Sequence, residues 1–207
     1  MQLIDRGVVV ETLGQHFAEQ FVFLPAVGTR GGALLAVDEN YYRIVQFDVR
    51  EHSMSAQLEP LMGVGSWWLT VVYGPQEDQA KLQFLQELRN LRNSIPEKWL
   101  VIGDFNLTLQ AQDKSNSNLN RRMMGEFRRV VDDMELKELK LQGRRFTWSN
   151  DSTQTRIDRA FCTTEWDLML QDCSLQAMSS LVSDHCPLLL VGNTIAKKYC
   201  GFRFEVF

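Results

Sequence analysis

Residues 99–106 read Trp99-Leu100-Val101-Ile102-Gly103-Asp104-Phe105-Asn106, a short apolar run that ends in a carboxylate and a carboxamide two positions apart. The apolar run predicts a buried strand over 99–103. If extended geometry persists past that strand, Asp104 and Asn106 project from the same side of its end. There they can position a water molecule and bind a phosphate oxygen. The alternative is structural, because Asp and Asn are common wherever a strand turns.

Strand and helix patterns alternate on both sides of this segment. Apolar or alternating runs predict strands at 21–24, 33–37, 42–49, 67–73, 146–148, 156–161 and 188–191, the third with one wet face. Helical spacing predicts helices at 3–20, 77–92 and 122–134 and a helical turn at 165–170, and the glycine-rich segment 28–32 predicts a turn. Because the two kinds of element interleave, the sequence indicates an α/β or α+β class.

Three further short motifs carry groups that can do chemistry. Ser183-Asp184-His185-Cys186-Pro187 offers a general acid or base, a cation for a phosphate or a metal ligand, although an exposed loop histidine is the simpler interpretation. Arg156-Ile157-Asp158-Arg159 sets a carboxylate between cations, and by itself this pattern favours an ordinary surface ion pair. Tyr73 ends a predicted strand, where its hydroxyl can bind a phosphate or its ring can simply pack.

Composition indicates one globular domain over 1–207 and a chain that is soluble. Of its 207 residues, 44% are hydrophobic and 23% are charged, and the formal net charge is −4. A negative chain has no global positive field, so any binding of nucleic acid must come from local arginine pairs. These pairs are Arg121-Arg122, Arg128-Arg129 and Arg144-Arg145, and the alternative for each is a solvated helix face or loop.

The cysteines and the start of the chain indicate an intracellular protein. Cys162, Cys173, Cys186 and Cys200 form no C-x-x-C pair and have no histidine at zinc-ligand spacing, so we expect reduced thiols, mostly in the interior. Charged residues interrupt the apolar residues of 1–13, which is atypical of a signal peptide. No apolar run approaches the roughly 18 residues of a membrane span.

Taken in order along the chain, the motifs resemble those of a known protein superfamily. Tyr-Gly-Pro at 73–75, Gly-Asp-Phe-Asn at 103–106, Arg-Ile-Asp-Arg at 156–159 and Ser-Asp-His-Cys-Pro at 183–187 resemble those of the endonuclease/exonuclease/phosphatase superfamily. Segments 28–32, 144–150 and the terminal Phe202-Arg203-Phe204-Glu205 resemble the endonuclease domain of plant LINE-type (non-LTR) retrotransposons. The resemblance runs over nearly the whole chain and implies a four-layered α/β sandwich of the DNase I-like type.

The resemblance also implies a role for each motif residue. Asp104 would orient and deprotonate the attacking water, and Asn106 would help to bind the phosphate or a metal. His185 would stabilise the charged phosphate or transfer a proton, and Asp158 would fix its orientation. Asp184 would lie near a divalent cation, with Mg²⁺ the natural ion and Mn²⁺ a substitute.

The implied substrate is DNA. Tyr73 would contact the scissile phosphate, and hydrolysis would leave a 3′-hydroxyl that can prime reverse transcription. A functional enzyme of this kind would act in the nucleus, and we expect a monomer.

The sequence departs from the superfamily pattern at its start. Members begin with two strands, one ending in Asn and one in a Gln-Glu-Thr type motif whose Glu is the principal metal ligand, and neither motif occurs here. We therefore expect the first strands to be missing, the affinity for Mg²⁺ to be low, and nuclease activity to be weak or absent. The alternatives are a non-catalytic retroelement remnant with weak DNA binding, and a phosphatase or lipid phosphodiesterase on the same fold. Segment 146–150 argues against the last of these.

Overall fold

The computed structural model describes residues 4–27, 31–63, 65–95, 97–170, 173–180 and 182–192, and the backbone of 201–203. Most of the turn predicted at 28–32 lies outside these ranges, as do Phe204 and Glu205 of the terminal motif. The chain forms two compact units, Met1–Ile102 and Gly103–Phe207. None of the described helices combines the length and the apolar character that a transmembrane helix requires.

In the first unit, the main sheet contains a three-stranded antiparallel meander. The described elements are α1 (Arg6–Thr12), β1 (Phe21–Leu24), β2 (Ala33–Ala36), β3 (Tyr42–Val49), β4 (Ser53–Pro60), β5 (Trp67–Tyr73), α2 (Asp78–Ser94) and β6 (Trp99–Asp104), whose end enters the second unit. β1 pairs with β2 as a separate antiparallel hairpin. The order in the main sheet is β3-β4-β5-β6, with β3 and β5 both antiparallel to β4.

The single helix predicted at 3–20 is wrong, because glycine interrupts it. Asp5 caps α1 by accepting a hydrogen bond from the N–H of Val8 at 3.0 Å. The helix ends at Thr12, and Gly14 adopts a φ of 105°, outside the α region, before a short 3₁₀ turn at Gln15–Phe17. Residues 1–3 lie outside the described ranges.

Strand β4 was not predicted, because its buried side chains are partly polar. Ser53 and Ser55 are buried, and the hydroxyl of Ser55 lies 2.8 Å from that of Thr70 on β5. Thr70 also accepts a hydrogen bond from the indole of Trp99 at 2.7 Å. A hydroxyl that is hydrogen-bonded in this way can enter a core without a large desolvation cost.

Strand β3 has the predicted bounds but is more exposed to solvent than predicted. It was expected to keep one dry face, yet Phe47 is 63% exposed and most of the strand is exposed on both faces. The physical reason is its place at the edge of the meander, where only β4 pairs with it in the described sheet.

The second unit contains one long helix and many short strands. The described elements are α3 (Arg121–Asp133), β7 (Lys137–Glu138), β8 (Leu141–Gln142), β9 (Trp148–Ser149), β10 (Gln154–Thr155), β11 (Asp158–Cys162), α4 (Thr164–Met169), β12 (Ser174–Ala177), β13 (Leu188–Val191) and β14 (Gly201–Arg203). β11 pairs with β7, β9 forms a hairpin with β10, and a second sheet has the order β14-β13-β12-β8. Alternating helices and strands in both units confirm the α/β class.

A cluster of three phenylalanines forms the core beneath the candidate chemistry. The rings of Phe105, Phe127 and Phe161 lie 5.1 to 5.8 Å apart, and each side chain is at most 1% exposed. Phe105 is the central residue of Asp-Phe-Asn, Phe127 lies on α3 and Phe161 lies on β11. The cluster therefore anchors the turn after β6 against these two elements.

The structural alternative for 156–159, an ordinary surface ion pair around Asp158, does not hold, because β11 is buried along its whole length. Arg159 is 0% exposed, and its guanidinium is paired with the carboxylates of Asp113 and Glu138. Asp113 also accepts hydrogen bonds from the N–H groups of Leu109 and Gln110, at 2.9 and 2.8 Å. Arg159 thus joins the loop after β6 to the buried strand.

The described cysteines are free thiols, as predicted, but only one of them is buried. Cys162 lies in the core, where burial raises the pKa of its thiol to about 12. Cys173 and Cys186 are half-buried, and Cys200 lies outside the described residues.

Candidate active site

The turn after β6 holds Asp104 and Asn106 together. The carboxylate of Asp104 accepts one hydrogen bond from the backbone N–H of Asn106, at 2.8 Å, and one from its side-chain amide, at 3.0 Å. Asn106 has a φ of 49°, the left-handed region that Asn tolerates better than most residues. The extended geometry expected here is therefore wrong, although the two side chains do meet. The chain turns because the aspartate side chain binds the backbone two residues later.

Asp158 and His185 form a hydrogen-bonded pair. Asp158 begins β11 and is 7% exposed, and His185 lies in the loop that precedes β13. Nδ1 of His185 lies 3.1 and 2.9 Å from the two carboxylate oxygens of Asp158. Because an ionised carboxylate only accepts, Nδ1 carries a proton in this pair, and Nε2 is left for other chemistry.

Asp104 completes a cluster with this pair. Ligand atoms of Asp104, Asp158 and His185 all lie within 4.8 Å of one another. Asn106 joins the cluster through its hydrogen bonds to Asp104. Four of the residues singled out in the sequence therefore converge from three separate segments of the second unit.

The surroundings of the cluster raise the pKa values of both Asp104 and His185. Burial, followed by the negative charge of Asp158, raises the pKa of Asp104 to about 7. For His185, burial by itself lowers the pKa. The hydrogen bond and charge of Asp158, with the charges of Asp104 and Asp184, outweigh burial and raise the pKa of His185 overall.

Asp184 lies beside the cluster and is held by a tryptophan. Its carboxylate accepts a hydrogen bond from the indole N–H of Trp148 at 2.7 Å, and its carbonyl accepts from the N–H of Ser149 at 3.0 Å. After burial and the charge of Asp158, the charge of Asp184 adds a smaller upward contribution to the pKa of Asp104. The side chain of Asp184 is exposed, so it is open to a ligand from solvent.

Tyr73 ends β5 in the first unit and is half-buried. Its N–H donates to the carbonyl of His52 at 2.9 Å, and its hydroxyl lies near Gly31, at 3.5 Å from the position that a Cβ would take there. The structure therefore places Tyr73 at a strand end, beside the glycine-rich segment that also carries the resemblance.

The arginine pairs differ in what they bind. Arg145 donates two hydrogen bonds to the carbonyl of Gln112, at 3.0 and 2.8 Å, and Arg144 donates to the hydroxyl of Ser179 at 3.1 Å. The pairs on α3 are exposed, and of these Arg129 is bound to Glu126 at 2.6 Å. The pair at 144–145 is therefore exposed in a loop, as the structural alternative expected, and also binds neighbouring loops.

Thr147 and Trp148 hydrogen-bond Asp158 and Asp184, contacts that were not predicted from the sequence. Both lie in segment 144–150, which carried the resemblance but was given no role. The sequence did offer a hint of these contacts, because a threonine and a tryptophan lie about ten positions before Asp158. Such side chains near a site often serve as hydrogen-bond donors and acceptors.

The residues present fit a divalent cation. The cluster offers two carboxylates and one imidazole, and the raised pKa of Asp104 reflects burial together with negative charges that repel one another. A cation relieves that repulsion, and hard carboxylate oxygens suit Mg²⁺ or Mn²⁺. Asp104, Asp158 and Asp184 are the side chains that would face such an ion.

Solved structures share this fold at low sequence identity. The endonuclease domain of TRAS1, a telomere-specific non-LTR retrotransposon, aligns with a TM-score of 0.67 at 16% identity, over 86% of this chain and 79% of that one. The 3′ phosphatase NExo from Neisseria, bound to a product DNA hairpin, aligns with a TM-score of 0.65 at 13% identity, over 92% and 86%. The beta toxin of Staphylococcus aureus with bound magnesium ions aligns with a TM-score of 0.55 at 13% identity, over 79% and 68%.

Sequence comparison adds the family. No curated protein sequence matches the chain. The model of the Endonuclease/Exonuclease/phosphatase family matches residues 10–185, a span that contains Tyr73, Asp104, Asp158 and His185. The similar structures confirm the DNase I-like α/β fold that the resemblance implied. By this match over most of its length, the chain belongs to the endonuclease/exonuclease/phosphatase family.

Proposed function

We propose that this chain is a phosphodiesterase of DNA that depends on a divalent cation, the endonuclease of a LINE-type retroelement. One observation carries the proposal: Asp104, Asp158 and His185 come from distant segments and lie within 4.8 Å of one another. The family match supports hydrolysis of a phosphate ester, since its members share this chemistry by name.

Asp104 is the general base in this proposal. Its pKa of about 7 leaves a substantial ionised fraction at neutral pH and a real affinity for a proton. The carboxylate is also oriented by both N–H groups of Asn106. Asp104 therefore takes the proton of a water molecule, and the amide of Asn106 is close enough to help to position the phosphate.

In this proposal, His185 is the positively charged side chain that donates a proton. Its raised pKa keeps the imidazole protonated to higher pH than usual, and Asp158 fixes Nδ1. Nε2 is then the atom that donates to a phosphate oxygen or to the leaving group. A bound Mg²⁺ or Mn²⁺ would neutralise charge on the phosphate oxygens, and Asp184 is the exposed carboxylate that we assign to it.

DNA is the proposed substrate. The similar structures include a retrotransposon endonuclease and a phosphatase bound to product DNA. Exposed arginines at 121, 122 and 128 on α3 supply cations for a phosphate backbone. The resemblance of 144–150 to plant LINE-type endonucleases supports a retroelement role, with a nick that leaves a 3′-hydroxyl and action in the nucleus.

We further propose that this chain binds its cation weakly and cleaves slowly. Asp158 and His185 hydrogen-bond one another, and Asp104 is assigned to the attacking water, so Asp184 is the carboxylate left to hold the cation. Mg²⁺ needs one or two well-placed carboxylates and is otherwise held by water. Because Asp184 is exposed, the affinity depends on a side chain that the protein only partly fixes.

A nicking assay tests the activity. Supercoiled plasmid is incubated with the full chain and Mg²⁺ or Mn²⁺, beside the variants Asp104→Ala and His185→Ala. We expect slow nicking that both variants abolish. Nicking that neither variant changes would refute the proposed site, and efficient nicking at micromolar Mg²⁺ would refute the proposed weakness.

Two other functions are tested by extending the assay to a panel of substrates. The likeness to a 3′ phosphatase favours removal of phosphate from DNA ends as a second candidate. A panel of plasmid, 3′-phosphate duplex, sphingomyelin and inositol phosphates separates endonuclease, end-processing and lipid or inositol activities. DNA binding without turnover on any of them identifies a non-catalytic remnant.

A further inference from the structure

Thr147 is a buried threonine whose hydroxyl accepts hydrogen bonds from two consecutive backbone groups. Its side chain is 0% exposed, and Oγ1 lies 3.1 Å from the nitrogen of Ile157 and 3.0 Å from that of Asp158. The backbone at the start of β11 is therefore fixed by a side chain from a different segment. Asp158 is the residue that this contact positions.

The backbone of the same segment is bonded to the loop that carries His185. The carbonyl of Thr147 accepts from the N–H of Cys186 at 2.7 Å, and Trp148 and His185 face each other in an antiparallel bridge. Ser149 donates to the carbonyl of Asp184 at 3.0 Å. We name residues 147–149 the bridging segment, because one side of it binds β11 and the other binds the histidine loop.

A third link reaches the turn of Asp104. The carbonyl of Ile157 accepts a hydrogen bond from the N–H of Phe105 at 3.0 Å. Ile157 is thus bound to Thr147 through its N–H and to the turn after β6 through its carbonyl. Hydrogen bonds connect Thr147 to all three segments that supply the cluster.

We propose that Thr147 is a positioning residue, whose hydroxyl sets Asp158 against His185 and whose backbone holds the histidine loop in register. Trp148 has a related part, since its indole orients the carboxylate of Asp184. The consequence for catalysis rests on the proposed function. The alignment of Asp158 and His185 does not, and it is measurable in the resting, metal-free protein.

Substitution by valine isolates the hydroxyl. Valine has nearly the volume of threonine but no acceptor, so Thr147→Val leaves the N–H groups of Ile157 and Asp158 buried without that partner. Thr147→Ser keeps the acceptor and loses a methyl group. Thr155→Val is the matched control, because Thr155 is also buried in this hairpin and its described contacts to Thr147 and Trp148 are made by its backbone.

The experiment measures amide exchange and the Nδ1–H proton resonance of His185 by NMR. In Thr147→Val we expect the exchange of the Ile157 and Asp158 amides to rise at least tenfold relative to the rest of β11. We also expect the Nδ1–H resonance of His185 to move upfield, because its hydrogen bond to Asp158 lengthens. Thr147→Ser is expected to restore both readouts, and Thr155→Val to change neither.

The outcomes separate this inference from the proposed function. A folded Thr147→Val protein with unchanged exchange and an unchanged His185 Nδ1–H resonance overturns the positioning role. If Thr147→Val does not fold, Thr147→Ala, which is too small to clash, is measured in the same way and decides by the same criteria. Where the wild type nicks plasmid, we expect Thr147→Val to lower kcat more than it raises KM. A wild type without nicking, but with the NMR changes present, refutes the proposed function alone.

Discussion

Nδ1 of His185 lies 2.9 Å from Oδ2 and 3.1 Å from Oδ1 of Asp158, although 27 positions separate the two residues in the chain. The imidazole is oriented by a carboxylate that is itself 7% exposed and fixed at the start of a buried strand. Such a pair keeps one ring nitrogen occupied and leaves the other for substrate. The charge state of the histidine therefore depends on its partner.

Replacing Asp158 is expected to lower the pKa of His185. In Asp158→Asn the hydrogen bond to a charge and the charge itself are lost, while burial of the ring, which lowers the pKa, is retained. We therefore expect the His185 pKa to be lower than in the wild type. Ring-proton NMR titration measures it. Asp151→Asn, at an exposed turn, is the control, and an unchanged His185 in Asp158→Asn would show that the pair is absent in solution.

The buried carboxyl of Asp104 makes stability depend on pH. Its pKa is raised from 3.8 to about 7 in the folded protein, so its stabilising contribution is complete below pH 3.8 and is lost as the pH rises through 7. Asp104→Asn carries no such charge, so it is expected to be more stable than the wild type at pH 8. Because the variant also weakens the hydrogen bonds from Asn106, we expect a net gain of about 1.4 kcal/mol, or roughly 3–6 °C in Tm.

Thermal melts of both proteins at pH 5 and pH 8 measure this effect. The gain of Asp104→Asn is expected to shrink at pH 5, where most of the wild-type carboxyl is protonated in the folded state. A gain of equal size at both pH values would contradict burial of the charge as its cause.

Removing the buried guanidinium of Arg159 is expected to lower the free energy of unfolding strongly. Arg159→Met leaves Asp113 and Glu138 without the cation that they share, at a cost of about 3–5 kcal/mol of unfolding free energy. Urea denaturation measures the loss. The matched variant Arg129→Met breaks an exposed pair with Glu126, for which we expect a change within about 1 kcal/mol. Similar losses in the two variants would argue that Arg159 is not desolvated in solution.

The exposed arginines of α3 are expected to bind the DNA backbone. Changing Arg121, Arg122 and Arg128 together to Gln removes three cations. When such cations bind phosphates, they release counterions from the DNA. Each lost phosphate contact reduces the slope of log K against log salt by about 0.9. Fluorescence anisotropy with a labelled duplex, at several salt concentrations, measures that slope. Arg129→Gln, whose guanidinium already binds Glu126, is the control, and an unchanged slope in the triple variant excludes this face of α3.

Much of the fold was predictable from local pattern. β1, β3, β5 and β13 have the predicted bounds, and α2 and α3 differ from prediction by a few residues at their ends. These elements carry strong apolar periodicity, which depends only on neighbours in sequence. The two-residue strands such as β7 and β8 were missed, because so few residues show no period and their pairing is decided by partners elsewhere.

The candidate site was predictable as a set of residues but not as a geometry. Asp104 and Asn106 were expected to share a side through an extended strand, whereas a left-handed Asn106 and the carboxylate of Asp104 bring them together. The alternative of a surface ion pair at 156–159 likewise failed, because the burial of Arg159 depends on Asp113, which is 46 positions away.

The sequence by itself determined which side chains this protein offers for chemistry, because Gly-Asp-Phe-Asn, Arg-Ile-Asp-Arg and Ser-Asp-His-Cys-Pro are local motifs that can be read without coordinates. Only the tertiary structure decided that Asp104, Asp158 and His185 meet, and that Thr147 stands between their segments. The raised pKa values were likewise invisible in the sequence. Burial and charges from distant positions set them, and neither quantity exists until the chain has folded.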